Sequence, residues 1–131
     1  MDNLSTITKG RLGYNIAENF LLKNNFDVYT PILENTKIDC IAVKDDKLFR
    51  IQIKTIQTFR GSRFLPVRKL SNNRNSNKQK HYTDKDIDFF FGVDLETSDI
   101  YIVPISFIMM YQSAISLKHL QEYKNNIDIL K

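Results

Sequence analysis

The chain has 131 residues, of which 42% are apolar and 26% charged, with a net charge of +4; that is enough for one hydrophobic core and too little for two, so a single domain over residues 1–131 is expected. Its one cysteine, Cys40, excludes a disulfide scaffold and suits a reducing, cytoplasmic setting. The opening MDNLSTITKG lacks the layout of a signal peptide, and the most apolar run, IYIVPISFIMMY, is too short for a membrane span and holds Pro104.

In chain order, Leu12, Ile16, Ala17, Phe20 and Leu21 recur at helical spacing, which predicts an amphipathic helix from about Thr8 to the Asn24-Asn25 pair. A short strand around Asp27 to Tyr29 follows and is stopped by Pro31. Ile38 to Val43 and Leu48 to Ile56 are rich in β-branched residues and predict a hairpin across Lys44-Asp45-Asp46-Lys47. Phe64 to Val67 reads as a further strand, and RKLSNNRNSNKQKH as a polar loop. IDFFFGVDL and DIYIVPI predict two more strands, and the tail reads as helical over Ser106 to Gln112 and Leu117 to Asn125. This order of elements points to an α/β or α+β sheet with helices packed on it.

Charge is segregated along the chain. From Lys47 to Thr83 there is no Asp or Glu, while Lys47, Arg50, Lys54, Arg60, Arg63, Arg68, Lys69, Arg74, Lys78 and Lys80 carry ten positive charges, so the rest of the chain sums to 4 − 10 = −6. Such a block repels itself and is the footprint of a polyanion partner. A solvated polar loop accounts for RKLSNNRNSNKQKH alone, but the run of charge extends back into a predicted strand.

Alternation along LFRIQIKT puts Phe49, Ile51 and Ile53 on one face, the core face, and Arg50, Gln52 and Lys54 on the other, an open one. Asp39, on the neighbouring strand, lies across the ladder from that polar row. A carboxylate and an amide oxygen offer hard ligands for Mg²⁺, and a lysine beside them can orient a water or neutralise charge on a phosphate. Phosphodiester hydrolysis needs these parts. An exposed sheet face decorated with polar residues explains any one of them but not all three beside an acid-free basic stretch.

Asp39, followed after a hairpin by Gln52-Ile53-Lys54, resembles the PD-(D/E)xK signature of the restriction-endonuclease-like superfamily, with glutamine in the (D/E) position. Lys9-Gly10, Phe26 to Pro31, and YTDKDIDFFFGVDLETSDIYIVP extend the likeness to a compact bacterial branch that includes group I intron homing endonucleases. The resemblance implies a mixed central sheet flanked by helices and a Mg²⁺- or Mn²⁺-dependent DNA endonuclease. In it Asp39 ligates the metal, with Gln52 beside it, and Lys54 assists the attacking water. The family also places a glutamate on the first helix just after the Lys-Gly pair. Here Tyr14 stands at that position, and Glu18, four residues on, is the acid left to take the role.

The expected DNA-contacting residues are Lys9, Arg11, Arg60, Arg63, Arg68, Lys69, Arg74, Lys78 and Lys80, with phosphate contacts fixing position on a duplex. One small domain carries one site, so cutting both strands calls for a homodimer or homotetramer, with Ile105 to Leu120 as its candidate interface. Two rival readings remain: a DNA-binding relative that has lost cleavage, suggested by Tyr14 and Gln52, and a structural or inhibitory protein whose basic loop engages an acidic protein. Cys40 faces away from Asp39 and reads as a small core residue. His81 and His119 lack metal-ligand spacing, so no zinc site is expected. Tyr82, Asp84, Asp86 and Asp88 read as the cap and start of the next element.

Overall fold

The computed structural model describes residues 4–33, 36–69 and 80–131; of Lys69 and Lys80 it describes the backbone alone. Helix α1 spans Thr6–Lys23, started by Ser5, whose hydroxyl accepts from the Thr8 N–H. Strand β1 is Asp27–Tyr29. β2 (Cys40–Lys44) and β3 (Lys47–Thr55) form the predicted hairpin, turning at Asp45 (φ 53°) and Asp46 (φ 64°). Positive φ at both central residues is what a two-residue hairpin turn requires, and aspartate tolerates it.

A second hairpin, β4 (Gln57–Phe59) and β5 (Ser62–Pro66), follows directly. Then come the short pair β6 (Arg68–Lys69) and β7 (Lys80–His81), and the central strands β8 (Phe89–Val93) and β9 (Ile100–Pro104). The tail departs from expectation. Helix α2 is a single turn, Ile105–Ile108, and the chain then forms strand β10 (Ala114–Ser116) and three 3₁₀ turns. Ala114–Ser116 pairs antiparallel with Phe64–Pro66, a partner about fifty residues upstream that helical periodicity cannot reveal.

The main sheet has five strands in the order β1-β2-β3-β8-β9, with β3 and β8 parallel and the other neighbours antiparallel. Its two faces are covered by different layers. On one, α1 packs Ala17 and Leu21 against Ile51, Phe91, Val93, Ile100 and Ile102, with Phe49 and Ile53 alongside. This is the expected core face of β3. Gly13 lets the helix come close, since a Cβ there would stand 2.8 Å from the Thr55 methyl. On the other face, Phe90, Tyr101 and Val103 meet Leu65, Ile115, Leu120 and Tyr82. Burying each such aliphatic or aromatic side chain contributes about 1.5–3 kcal/mol.

That second layer corrects the expectation of an open polar face on β3. Gln52 is 7% exposed, and Arg50 is held by Asp88, whose carboxylate accepts from its guanidinium at 3.0 and 3.2 Å. The Lys54 end of the row lines a cleft, while the Arg50 side chain at the other end is 28% exposed.

Candidate active site

The site is built where β2 ends beside β3. The register Cys40↔Ile51 carries Asp39 opposite Gln52, one step before β2 begins. The Asp39 N–H still donates to the Ile51 carbonyl at 2.9 Å, and its carboxylate folds back to accept from the Ile53 N–H at 2.7 Å. The side chain thus replaces the missing strand as partner for an otherwise orphaned donor. Gln52 extends its amide to the Ile53 carbonyl at 3.5 Å. Asp39, Gln52 and the Ile53 peptide therefore share one corner, as the sequence pattern predicts.

Burial governs the charges there. It pushes the Asp39 carboxyl up from its ordinary range, against the opposing pull of the Ile53 N–H and the Lys54 ammonium. Burial likewise pulls Lys54 down, and the Asp39 charge opposes it. Acid and lysine are thus within electrostatic reach of each other, both partly desolvated.

Of the two residues expected from the first helix, Tyr14 lies within electrostatic reach of Asp39, while Glu18 acts on Tyr14 and Cys40. The Tyr14 phenol is pushed up to about 12, first by burial, then by the charges of Cys40, Glu18 and Asp39. Its hydroxyl is buried and has no hydrogen-bond partner among the described residues. Arg11 lies 5.6 Å from the centre of the Tyr14 ring, a cation–π contact. Glu18 is half-buried one turn on. Cys40 is 1% exposed in the helix-side core, with its thiol pushed up to about 12 by burial. It is a packed side chain and no nucleophile.

Beside the corner opens a cleft of about 940 Å³, lined by Thr6, Lys9 and Gly10 of α1, by Ile53, Lys54 and Thr55, and by Arg63, Arg68, Tyr82, Asp94 and Glu96 among others. Lys9, Lys54 and Arg68 give it positive charge. Arg68 Nε is buried without a partner among the described residues. Arg63 is engaged elsewhere: both of its terminal nitrogens stand 2.8 Å from the Asp94 carboxylate, which is 2% exposed. That hydrogen-bonded pair lowers Asp94 and raises Arg63 from their ordinary values. Arg60 sits at the β4–β5 turn (φ 51°) over the Phe59 ring. Arg74 and Lys78 lie outside the described residues, as do the side chains of Lys69 and Lys80.

Asp94 has no role in the sequence reading, and Tyr82 reads there only as the cap of the next element. Nothing in FFFGVD marks Asp94 as the partner of Arg63, because the pairing depends on how β5 lies over β8. Tyr82 carried a signal, standing at the end of the basic block.

The oxygens gathered at Asp39, Gln52 and Ile53 suit a hard divalent cation, which takes one or two carboxylates, carbonyl oxygens and waters of its own. The corner is thin in charge. Among the described residues no three of His, Cys, Asp and Glu converge as a metal-holding group.

A sheet with a parallel central pair, a helix across one face, and an acid facing a Gln-Ile-Lys strand defines a nuclease class. The family model described as PD-(D/E)XK endonuclease matches residues 4–129, and the chain belongs to that family. The structure is similar to that of a bacterial homing endonuclease, I-Ssp6803I, with a TM-score of 0.78 and 23% identity over 86% of this chain and 78% of the other. The restriction-endonuclease-like fold is thereby established. Comparison with curated proteins gives no match. No helix among the described residues is long and apolar enough to cross a membrane.

Proposed function

We propose that this protein is a divalent-metal-dependent DNA endonuclease of the homing type, acting at the Asp39–Gln52–Lys54 corner. The observation that carries the reading is the convergence of Asp39 and Gln52 on the backbone of one residue, Ile53, with a desolvated lysine next to them. Asp39, the Gln52 amide and the Ile53 carbonyl would hold Mg²⁺ or Mn²⁺, which when bound polarises a phosphate and acidifies a water. Lys54 orients that water and offsets charge on the phosphate, most effectively where solvent is excluded. Lys9 and Arg68 hold neighbouring phosphates along the cleft, and Arg11, Arg60, Lys69, Arg74, Lys78 and Lys80 extend the contact over a duplex. Arg63, expected from the sequence to contact DNA, is instead paired with Asp94 and forms part of the cleft wall. Cutting both strands calls for a homodimer or homotetramer. The exposed Met109 and Met110, 51% and 76% accessible, favour the Ile105–Leu120 region as its interface.

A second reading, a DNA-binding relative with impaired cleavage, is favoured by one observation: Tyr14 brings a neutral phenol to the corner instead of an acid. Plasmid nicking in Mg²⁺ separates the two. If Glu18 supplies the second charge, Glu18→Gln damages cleavage as much as Asp39→Asn, and Tyr14→Glu changes little. If Tyr14 blocks the corner, Tyr14→Glu creates or greatly increases nicking and Glu18→Gln has little effect. Metal-independent nicking contradicts the metal-dependent mechanism, and no nicking by wild type and Tyr14→Glu alike contradicts the endonuclease assignment.

A further inference from the structure

The turn between β7 and β8 is anchored far more heavily than a surface turn requires. Arg50 donates to the carbonyls of Asp84 and Lys85 at 2.8 Å each and to the Asp88 carboxylate at 3.0 Å. Lys37 donates to Asp86 at 2.8 Å, and Asp86 in turn accepts from the Thr83 N–H at 3.0 Å. Two cations from separate segments thus fix the backbone immediately after Tyr82.

Fixing that backbone fixes Tyr82. Its ring is 5% exposed and stands edge-on to Phe90, centroids 5.1 Å apart at 86°. Phe90 is the β8 residue in register with Gln52. Tyr82 therefore covers the sheet face on which Gln52 lies, and it lines the same cleft as Lys54. A phenol is protonated at neutral pH, and burial pushes this one further up. An O–H donor carried on a fixed ring that lines such a cleft is suited to an anionic oxygen, because little reorganisation is needed when charge develops there.

We propose that Tyr82 is a catalytic residue whose hydroxyl donates a hydrogen bond to a non-bridging oxygen of the phosphodiester held at Asp39 and Lys54. The inference rests on the nuclease reading above and adds a residue to its site. The contact tightens as negative charge accumulates on that oxygen in the transition state. The proton stays on the phenol throughout, and Tyr82 makes and breaks no covalent bond.

The test compares single-turnover cleavage of plasmid DNA in Mg²⁺ by wild type, Tyr82→Phe, Phe90→Leu and Lys54→Met, with DNA affinity in Ca²⁺ and melting temperature measured for each. Tyr82→Phe keeps the ring and removes only the hydroxyl. Its rate should fall about 100- to 1,000-fold with affinity and melting temperature unchanged. Phe90→Leu keeps the hydroxyl and loosens the packing, so it should lower the melting temperature and retain more activity than Tyr82→Phe. A Tyr82→Phe rate within twofold of wild type, while Lys54→Met is inactive, overturns this inference and leaves the nuclease reading standing. Rate losses that merely follow the loss of melting temperature in both ring variants overturn it too. If wild type does not cut, or Lys54→Met cuts like wild type, both fall together.

Discussion

Arg50 and Lys54 leave the same side of the same strand, two alternations apart, and meet opposite surroundings. Arg50 is fully engaged by Asp88 and by two turn carbonyls, and the hydrogen bond to Asp88 raises it above its ordinary value. Lys54 forms no ion pair among the described residues, faces the cleft, and is pulled below its ordinary value by burial. One cation has partners for all three of its guanidinium nitrogens and serves the fold. The other is desolvated and lines the cleft without an ion-pair partner among the described residues, which weakens the fold slightly and suits the role proposed for it. Strand alternation makes the two look equivalent; the second layer separates them.

Lys54→Met and Arg50→Ala turn the contrast into numbers. Lys54→Met should lower cleavage about 100-fold or more. Its melting temperature should hold or rise. A lysine whose folded value lies below the unfolded one disfavours the fold while charged, up to the pH where the folded state releases the proton, so removing it at neutral pH relieves a penalty. Arg50→Ala should destabilise by about 1.5–3 kcal/mol, because it strips charged hydrogen bonds from Asp88 and frees the turn that fixes Tyr82. Denaturant titration checks the stability of both variants. Equal effects of the two changes on stability would erase the distinction.

The smallest expected effect concerns the cleft wall. DNA affinity should fall with salt by a log–log slope of about −0.9 per phosphate contact, and Arg68→Ala should flatten that slope by about one contact. Affinity that is indifferent to salt would show that the basic block serves something other than a polyanion.

The parts legible in the sequence are those set by local rules. The spacing of Leu12 to Leu21 gave α1, and Asp45-Asp46 between alternating runs gave the hairpin and its register. Because that register is local, Asp39 beside Gln52 could be read before any tertiary packing was known. What was illegible depends on distant partners. Arg50 with Asp88 and Arg63 with Asp94 are 38 and 31 residues apart, and each pairing needs the order of strands to be known. Ala114–Ser116 looks like part of a helical tail until Phe64–Pro66 lies beside it. Gly13 was a readable signal of close helix–sheet approach within a helical pattern, because only a residue without Cβ fits against Thr55.

The most direct test of the account is the nicking rate of wild type and Asp39→Asn on plasmid DNA, across Mg²⁺ concentrations and in the presence of a chelator. Asparagine keeps the shape and an oxygen for the Ile53 N–H but removes the carboxylate beside Gln52, so the hairpin should persist while metal-dependent cleavage collapses. The account predicts nicking by wild type that requires Mg²⁺, and an Asp39→Asn variant that folds, binds DNA at least as well without metal, and cuts at least about 100-fold more slowly at any Mg²⁺ concentration. Wild-type cleavage unaffected by chelation, or an Asp39→Asn variant with wild-type rates, would contradict it.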